Sequence, residues 1–172
     1  MTLLKYLHGR LTQLGIAVAL ATAALDQGVK LWLLFGLDLE TRAPVHLGPY
    51  IDLVLAWNTG ISFSLFPQVG PLGQWALLGV KAVAVVLLWL WLAHATSRLT
   101  ALALGLIIGG AIGNAIDRAA YGAVVDFVLF HITTATWTFR WYVFNLADVG
   151  IVAGVTGLLY DSVVARDAAK AP

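Results

Sequence analysis

Four apolar stretches, each long enough to cross a bilayer, leave this chain one class of fold. They run from Leu11 to Phe35, Leu72 to Ala93, Leu99 to Ala119 and Asn145 to Val164. A hydrocarbon core about 30 Å thick needs roughly 20 apolar residues in helical form, and an open sheet edge does not survive there. The pattern therefore predicts an all-α integral membrane protein with four transmembrane helices. Composition agrees: 60% of the 172 residues are hydrophobic, 11% are charged and mean hydropathy is +0.88. Soluble domains carry about 25% charged residues. One polytopic membrane domain, 1–172, accounts for the length.

The basic start at Lys5 and Arg10, the apolar run to Leu25 and Ala21-Thr22-Ala23 also fit a cleaved secretory signal. Apolar residues resume at Leu31-Trp32-Leu33-Leu34-Phe35, which favours a retained first helix. Asp26 and Lys30 lie four apart on its face and can pair.

Between the first two spans, Pro44, Gly48-Pro49, Gly60, Pro67 and Gly70-Pro71 punctuate a different kind of segment. Tyr50 to Trp57 and Ile61 to Phe66 read as short strands meeting at Asn58-Thr59-Gly60, a small sheet at the membrane surface. The second span ends in Trp89 and Trp91 as interfacial anchors and carries Lys81 near its middle. That lysine either faces the bundle or snorkels along its stem; the sequence leaves both open. In the third span Gly105, Gly109 and Gly113 recur every four residues, as do Gly150 and Gly154 in the fourth. Such smooth faces suit close packing and predict that these two helices are neighbours. Ala120 to Phe144, broken by Thr133-Thr134-Ala135-Thr136, reads as a short interfacial or partly re-entrant element.

With Lys30 and Arg118 set aside as interior, the basic residues Lys5, Arg10, Arg98, Arg166 and Lys170 place both termini in the cytoplasm. Up-and-down threading then brings Asp26, Lys30, Asn114, Asp117, Arg118, Asp126, Asn145 and Asp148 to one level, the outer membrane boundary, beside a sheet bearing Asn58. Asp161 and Asp167 fall at the other end and read as solvated charges.

Ionisable groups at the end of a span are costly, and partnered ones point to function. The chain has no Cys, hence no thiolate nucleophile and no disulfide, and His8, His46, His94 and His131 lack metal-ligand spacing. No metal, no cofactor and no nucleic-acid partner are expected, and nothing requires an oligomer. Two carboxylates brought close titrate apart. One then serves as base on a water while the other polarises a carbonyl, which is peptide hydrolysis through a gem-diol. Spacing favours Asp126, just beyond the third helix, and Asp148, in the first turn of the fourth where the helix dipole suits a carboxylate. Asp117 adjoins Arg118 and Asp26 can reach Lys30, which suggests supporting roles; structural ion pairs explain such acids equally well.

Four blocks in order resemble the lipoprotein signal peptidases (signal peptidase II): Asp26-Gln27-Gly28-Val29-Lys30, Asn58-Thr59-Gly60-Ile61-Ser62-Phe63, Gly109 to Arg118 continuing from Gly122 to Phe127, and Phe144-Asn145-Leu146-Ala147-Asp148. The resemblance implies an aspartyl endopeptidase of the bacterial cytoplasmic membrane. It would cleave prolipoproteins just before a diacylglyceryl-modified Cys, with membrane lipid as its surroundings. Asp126 and Asp148 match the family's catalytic pair, and Asp26, Lys30, Asn58, Asn114, Asp117, Arg118 and Asn145 match its other motif residues. It also implies an extracytoplasmic β-cradle between helices one and two and a short amphipathic element between three and four. Val149 and Val143 depart from residues common in the family, and Lys81 is not a recognised feature of it. Each Asn reads equally as a helix or turn cap. Arg118 either fixes Asp117 or binds peptide, and fixing is favoured.

Two rival functions use the same acids. A proton- or ion-coupled carrier would want them near the midplane, not at one surface. A presenilin-type protease faintly matches Leu159-Tyr160-Asp161, but the partner Gly-x-Gly-Asp motif is missing and Asp161 is at the wrong end.

Overall fold

The computed structural model describes residues 7–42, 44–60 and 71–168. Four helices form the membrane body: α1 (Thr12–Leu31), α2 (Pro71–Ala93), α3 (Arg98–Tyr121) and α4 (Leu146–Ala168). All four contain a stretch long and apolar enough to cross a membrane. Their bounds follow the apolar runs to within a few residues.

α3 is the centre of the bundle and packs against each of the other three. Its start is capped by the Ser97 side chain, which accepts from the Leu99 and Thr100 N–H groups, and Gly122 closes it at φ 74°. Glycines let its backbone come close to two neighbours. A Cβ on Gly105 or Gly109 would lie 2.6 Å from the Gly15 carbonyl oxygen or 2.5 Å from that of Ala19. The four-residue glycine face therefore meets α1. α4 is also a neighbour, as expected, but it rests on Gly110, where a Cβ would come 2.5 Å from the Ala147 oxygen.

At its sheet end α1 widens into a π-helical turn, Trp32–Gly36, closed by the Leu37 N–H on the Trp32 oxygen. The turn aims Leu33 at Leu39 and Phe127, a small core beneath the sheet. The sheet is antiparallel in the order β1 (Val45–His46), β2 (Ile51–Asn58), β3 (Val124–Thr133) and β4 (Thr138–Arg140). Half of it thus comes from the α3–α4 connection, where the sequence suggests an interfacial stretch. The Thr133–Thr136 run that interrupts that stretch is the hairpin between β3 and β4. The expected strand Ile61 to Phe66 lies outside the described residues.

Pairing sets Ala56 opposite Asp126 and Asn58 opposite Val124, with a bulge between Leu53 and Ala56. Asn58 and Asp126 are diagonal neighbours on one face. At the far end of β2, Asp52 joins three strands: its carboxylate lies 2.6 Å from His46 Nδ1 and 3.1 Å from His131 Nε2. At the other end of the bundle Asp161 is not simply solvated. It accepts hydrogen bonds from the Ser97 hydroxyl at 3.1 Å and from the Thr100 hydroxyl, tying α4 to the start of α3.

Candidate active site

Two connected clusters lie where the helices meet the sheet. The first centres on Lys30, buried in α1. Its ammonium lies 2.7 Å from Asp26 Oδ2, 2.7 Å from Asp117 Oδ2 and 3.2 Å from Asn114 Oδ1. The other Asp26 oxygen accepts the Ala147 N–H at 2.9 Å, so one carboxylate links α1 to the first turn of α4. Asp117 accepts from Gln27 Nε2 at 2.8 Å and from the Val125 N–H at 3.1 Å. A buried cation between two carboxylates, with its remaining donor on an amide, is well satisfied and costly to dismantle.

Asp117 therefore takes its cation from α1, where adjacency in sequence points to Arg118. Neighbouring residues on a helix project about 100° apart and cannot face each other. Arg118 reaches the other way, donating to the Gly60 carbonyl at the end of β2, within electrostatic reach of Asp126, Asp117 and Asp148. Gln27 is a site residue that sequence reasoning misses, although it lies inside the first motif block and three residues before Lys30 on the same helix.

The second cluster holds Asp126 of β3 and Asp148 of α4. Asn145 and Asp148 cap α4 reciprocally: the Asp148 N–H donates to Asn145 Oδ1 at 3.0 Å and the Asn145 N–H to Asp148 Oδ2 at 3.2 Å. This is the capping-box geometry, with Asp148 three residues after the cap. The Asn145 side-chain amide donates to Asp126 Oδ1 at 2.7 Å and to Asn114 Oδ1 at 3.0 Å. Asn114 in turn donates to Asp148 Oδ1 at 2.9 Å. Asn58 closes the far side, donating to Asp126 Oδ2 at 3.0 Å while its own oxygen accepts the Gly60 N–H. Asn58 and Asn145 thus serve as caps and as partners of the acids, and Asn114 as a partner alone. The two carboxylates are held by intervening amides rather than by a hydrogen bond to each other.

Burial of the Asp126 carboxyl, reinforced by the Asp148 charge and opposed by the Asn58 and Asn145 amides, pushes its pKa up to about 7. A group so poised exchanges a proton near neutral pH. Each carboxylate borders open space. Asp148 lines an apolar cavity of about 410 Å³ with Trp141, Phe144, Val149, Val152 and Ala153. Asp126 lines a smaller one of about 260 Å³ with Asn58, Trp57, Ala56, Tyr142 and Val143. Trp141 borders both. Among the described residues no three of His, Cys, Asp or Glu converge as a metal ligand set.

Comparison with known proteins agrees with this architecture. A family model described as Signal peptidase (SPase) II matches residues 18–164. The lipoprotein signal peptidase of Rhodopseudomonas palustris (strain TIE-1) is 58% identical over 160 residues, covering 93% of this chain and 98% of that one. That of Nitrobacter hamburgensis is 61% identical over 158 residues, 92% of this chain and 96% of its own. Among solved structures, a bacterial membrane enzyme determined by the in meso method at 2.3 Å resolution superposes with a TM-score of 0.73 at 19% identity, over 92% of both chains. Fold and matches together define a multi-pass bacterial membrane peptidase of the aspartic class. More particularly, the chain belongs to the lipoprotein signal peptidase (signal peptidase II) family, whose enzymes remove signal peptides from lipoproteins. The carrier and presenilin-type alternatives fall with that assignment.

Proposed function

We propose that Asp126 and Asp148 are the catalytic pair and that they cut a diacylglyceryl-modified prolipoprotein immediately before its lipidated Cys. The observation that carries this reading is their joint suspension. Carboxylates from β3 and α4 are fastened by the amides of Asn145 and Asn114 and open on cavities where helices meet sheet. Asp126, poised near neutrality, holds the proton in the resting enzyme, and Asp148 is the base.

Asp148 takes a proton from water as the water oxygen adds to the scissile carbonyl carbon. Asp126 gives its proton to the carbonyl oxygen, forming a gem-diol. The C–N bond then breaks: the proton on Asp148 goes to the leaving nitrogen, and one diol proton returns to Asp126. Asn58, Asn114 and Asn145 are neutral, so they orient the acids and substrate backbone without competing for the proton. Asp26, Lys30, Asp117 and Arg118 keep the frame rigid.

Positive residues at Arg10 and Arg98 support cytoplasmic termini, and that orientation puts the pair at the outer leaflet. A lipid-anchored substrate presents its scissile bond at the same level. The apolar cavity beside Asp148 suits acyl chains or apolar signal-peptide side chains. The test is cleavage of a lipidated prolipoprotein by Asp126→Asn and Asp148→Asn. Both variants fold and insert, and both lose turnover; full cleavage by either would remove it from the catalytic pair.

A further inference from the structure

Lys81 is the one ionisable residue in the middle of a span, and nothing in the network of acids and amides uses it. On α2 it shares a face with Val85, Leu88 and Leu92, at spacings of four, three and four residues, and those three pack into the bundle core. It therefore faces the bundle and not the lipid. Its height follows from helix register. Leu92 packs in one cluster with Ala101 and Leu104 of the antiparallel α3. Eleven residues back along α2, about 16 Å at helical rise, match an equal climb along α3 to 112–115, the level of Asn114. Side chains on a helix lean toward its N-terminus, which for α2 is the sheet end, so the ammonium rises further toward the acids. It lies within electrostatic reach of Arg118, Asp148, Lys30 and Asp117, and of these carboxylates Asp148 is felt most strongly.

Lys30 is committed to Asp26, Asp117 and Asn114, and Arg118 to Gly60. The Lys81 ammonium, with three donors, has no hydrogen bond or ion pair to any of the described residues. An unmatched ammonium inside a membrane bundle is expensive. Nor does a packed interface join α2 to α4 among the described residues, although both pack on α3. Lys81 and Asp148 thus stand on two helices that both pack on α3 and not on each other.

We propose that Lys81 binds the substrate's signal-peptide helix by its terminal carbonyl groups, between α2 and α4. This rests on the reading of Asp126 and Asp148 as the catalytic pair and on the site facing outward. A signal peptide crosses from the inside, so its helix ends at the outer boundary, just before the scissile bond. The last turn of any helix leaves four carbonyls without internal partners and carries the negative end of its dipole. In lipid those oxygens need donors. A lysine at that height supplies them, as lysines commonly do at helix C-termini. Lys81 is then a binding residue for the non-reacting part of the substrate, distinct from the groups that move protons.

The test is steady-state cleavage of a lipidated prolipoprotein by Lys81→Met and Lys81→Arg. Lys81→Met raises KM about tenfold, the worth of one charge-assisted hydrogen bond, with kcat within about twofold and an unmoved pH profile. Lys81→Arg restores most of KM. An unchanged KM in folded Lys81→Met overturns the proposal. So does a fall in kcat with a displaced pH profile, which would mean that Lys81 acts on the carboxylates. If Lys81→Met does not accumulate, a diazirine-bearing lysine analogue at position 81 of the Asp126→Asn enzyme decides. Crosslinks fall on the last turn of the signal peptide; crosslinks to the mature part alone, or none, overturn the proposal. Asp126→Asn and Asp148→Asn report on the catalytic pair separately: if either cleaves fully, that pairing fails whatever Lys81 does.

Discussion

Asn145 Nδ2 lies 2.7 Å from Asp126 Oδ1, while the same residue's oxygen accepts the Asp148 N–H. One side chain thus ties the strand-borne acid to the helix that bears the other. Replacing it separates its two tasks. Asn145→Asp keeps the cap on α4 but turns a donor toward Asp126 into an acceptor, adding a third carboxylate to the cluster. Three buried donations, to Asp126, Asn114 and the Val125 carbonyl, are lost with the amide, so stability falls by about 1–3 kcal/mol even with the cap kept, and cleavage falls more than tenfold. Asn145→Ala loses the cap as well and about 1 kcal/mol more of stability. Melting curves and turnover on the same preparations check both expectations.

The proton economy of the site gives a pH prediction. Asp126 moves from 3.8 up to about 7, through burial first, so it is protonated below neutrality and ionised above. In the proposed mechanism Asp126 is the acid and is competent only when protonated, so kcat/KM is expected to fall as pH rises through about 7, with apparent values belonging to the pair. The Asn58 amide favours the ionised form, so Asn58→Leu moves that limb to higher pH by about half a unit to one unit. Because folding raises this pKa, its stabilisation is complete below 3.8 and declines as pH rises through about 7. Asp126→Asn should flatten the stability profile over that window. Cleavage-rate and melting profiles between pH 4 and about 9 decide the matter.

Much of this arrangement is legible in the amino-acid order, and the exceptions have physical causes. The spans are readable because each apolar run matches the bilayer in length. β3 is not, because Val124, Val125, Asp126 and Phe127 are all buried. A strand covered on both faces lacks the two-residue alternation that announces one. The Asp26–Lys30 pair follows from helical spacing, but the Asp117–Lys30 pair spans 87 residues and depends on α1 and α3 approaching over glycine. Asp161 reads as solvated because nothing in its neighbourhood of the chain signals the Ser97 and Thr100 hydroxyls that donate to it. Asn114, Asn145 and Asp148 stand out within motif blocks, whereas the chain of amides joining the two acids emerges only once three elements are folded together.

Lys30→Met tests the buried ion cluster. It leaves Asp26 and Asp117 facing each other without their shared cation, at side-chain exposures of 0% and 1%. Breaking a buried pair by removing one partner costs about 3–5 kcal/mol, which a small membrane domain tolerates poorly. Little folded protein is expected, measured as monodisperse material after detergent extraction. The triple variant Lys30→Met, Asp26→Asn, Asp117→Asn removes all three charges together and should recover much of the fold. Its cleavage activity stays low if the cluster also holds Asn114 in place, since Lys30 donates to the Asn114 oxygen.

The glycines make the last prediction, because their surroundings differ sharply. At Gly109 a methyl would meet the Ala19 carbonyl oxygen at 2.5 Å and the Ala19 α-carbon at 3.0 Å, both backbone atoms that cannot swing aside. Gly109→Ala therefore wedges α1 from α3, costing about 1–3 kcal/mol as overpacking does. At Gly113 the first obstacle is Asp26 Oδ2 at 2.7 Å, so the methyl pushes on the carboxylate that holds Lys30. Gly28 has nothing within 4 Å, and Gly28→Ala in α1 should be neutral or slightly stabilising through helix propensity. The order expected for melting temperature is Gly28→Ala at or above the parent, with Gly113→Ala and Gly109→Ala well below it. Gly113→Ala should lose more cleavage than its stability loss explains, because its clash lies within the ion cluster. Equal melting temperatures for Gly109→Ala and Gly28→Ala would show that α1 and α3 do not meet across this glycine face.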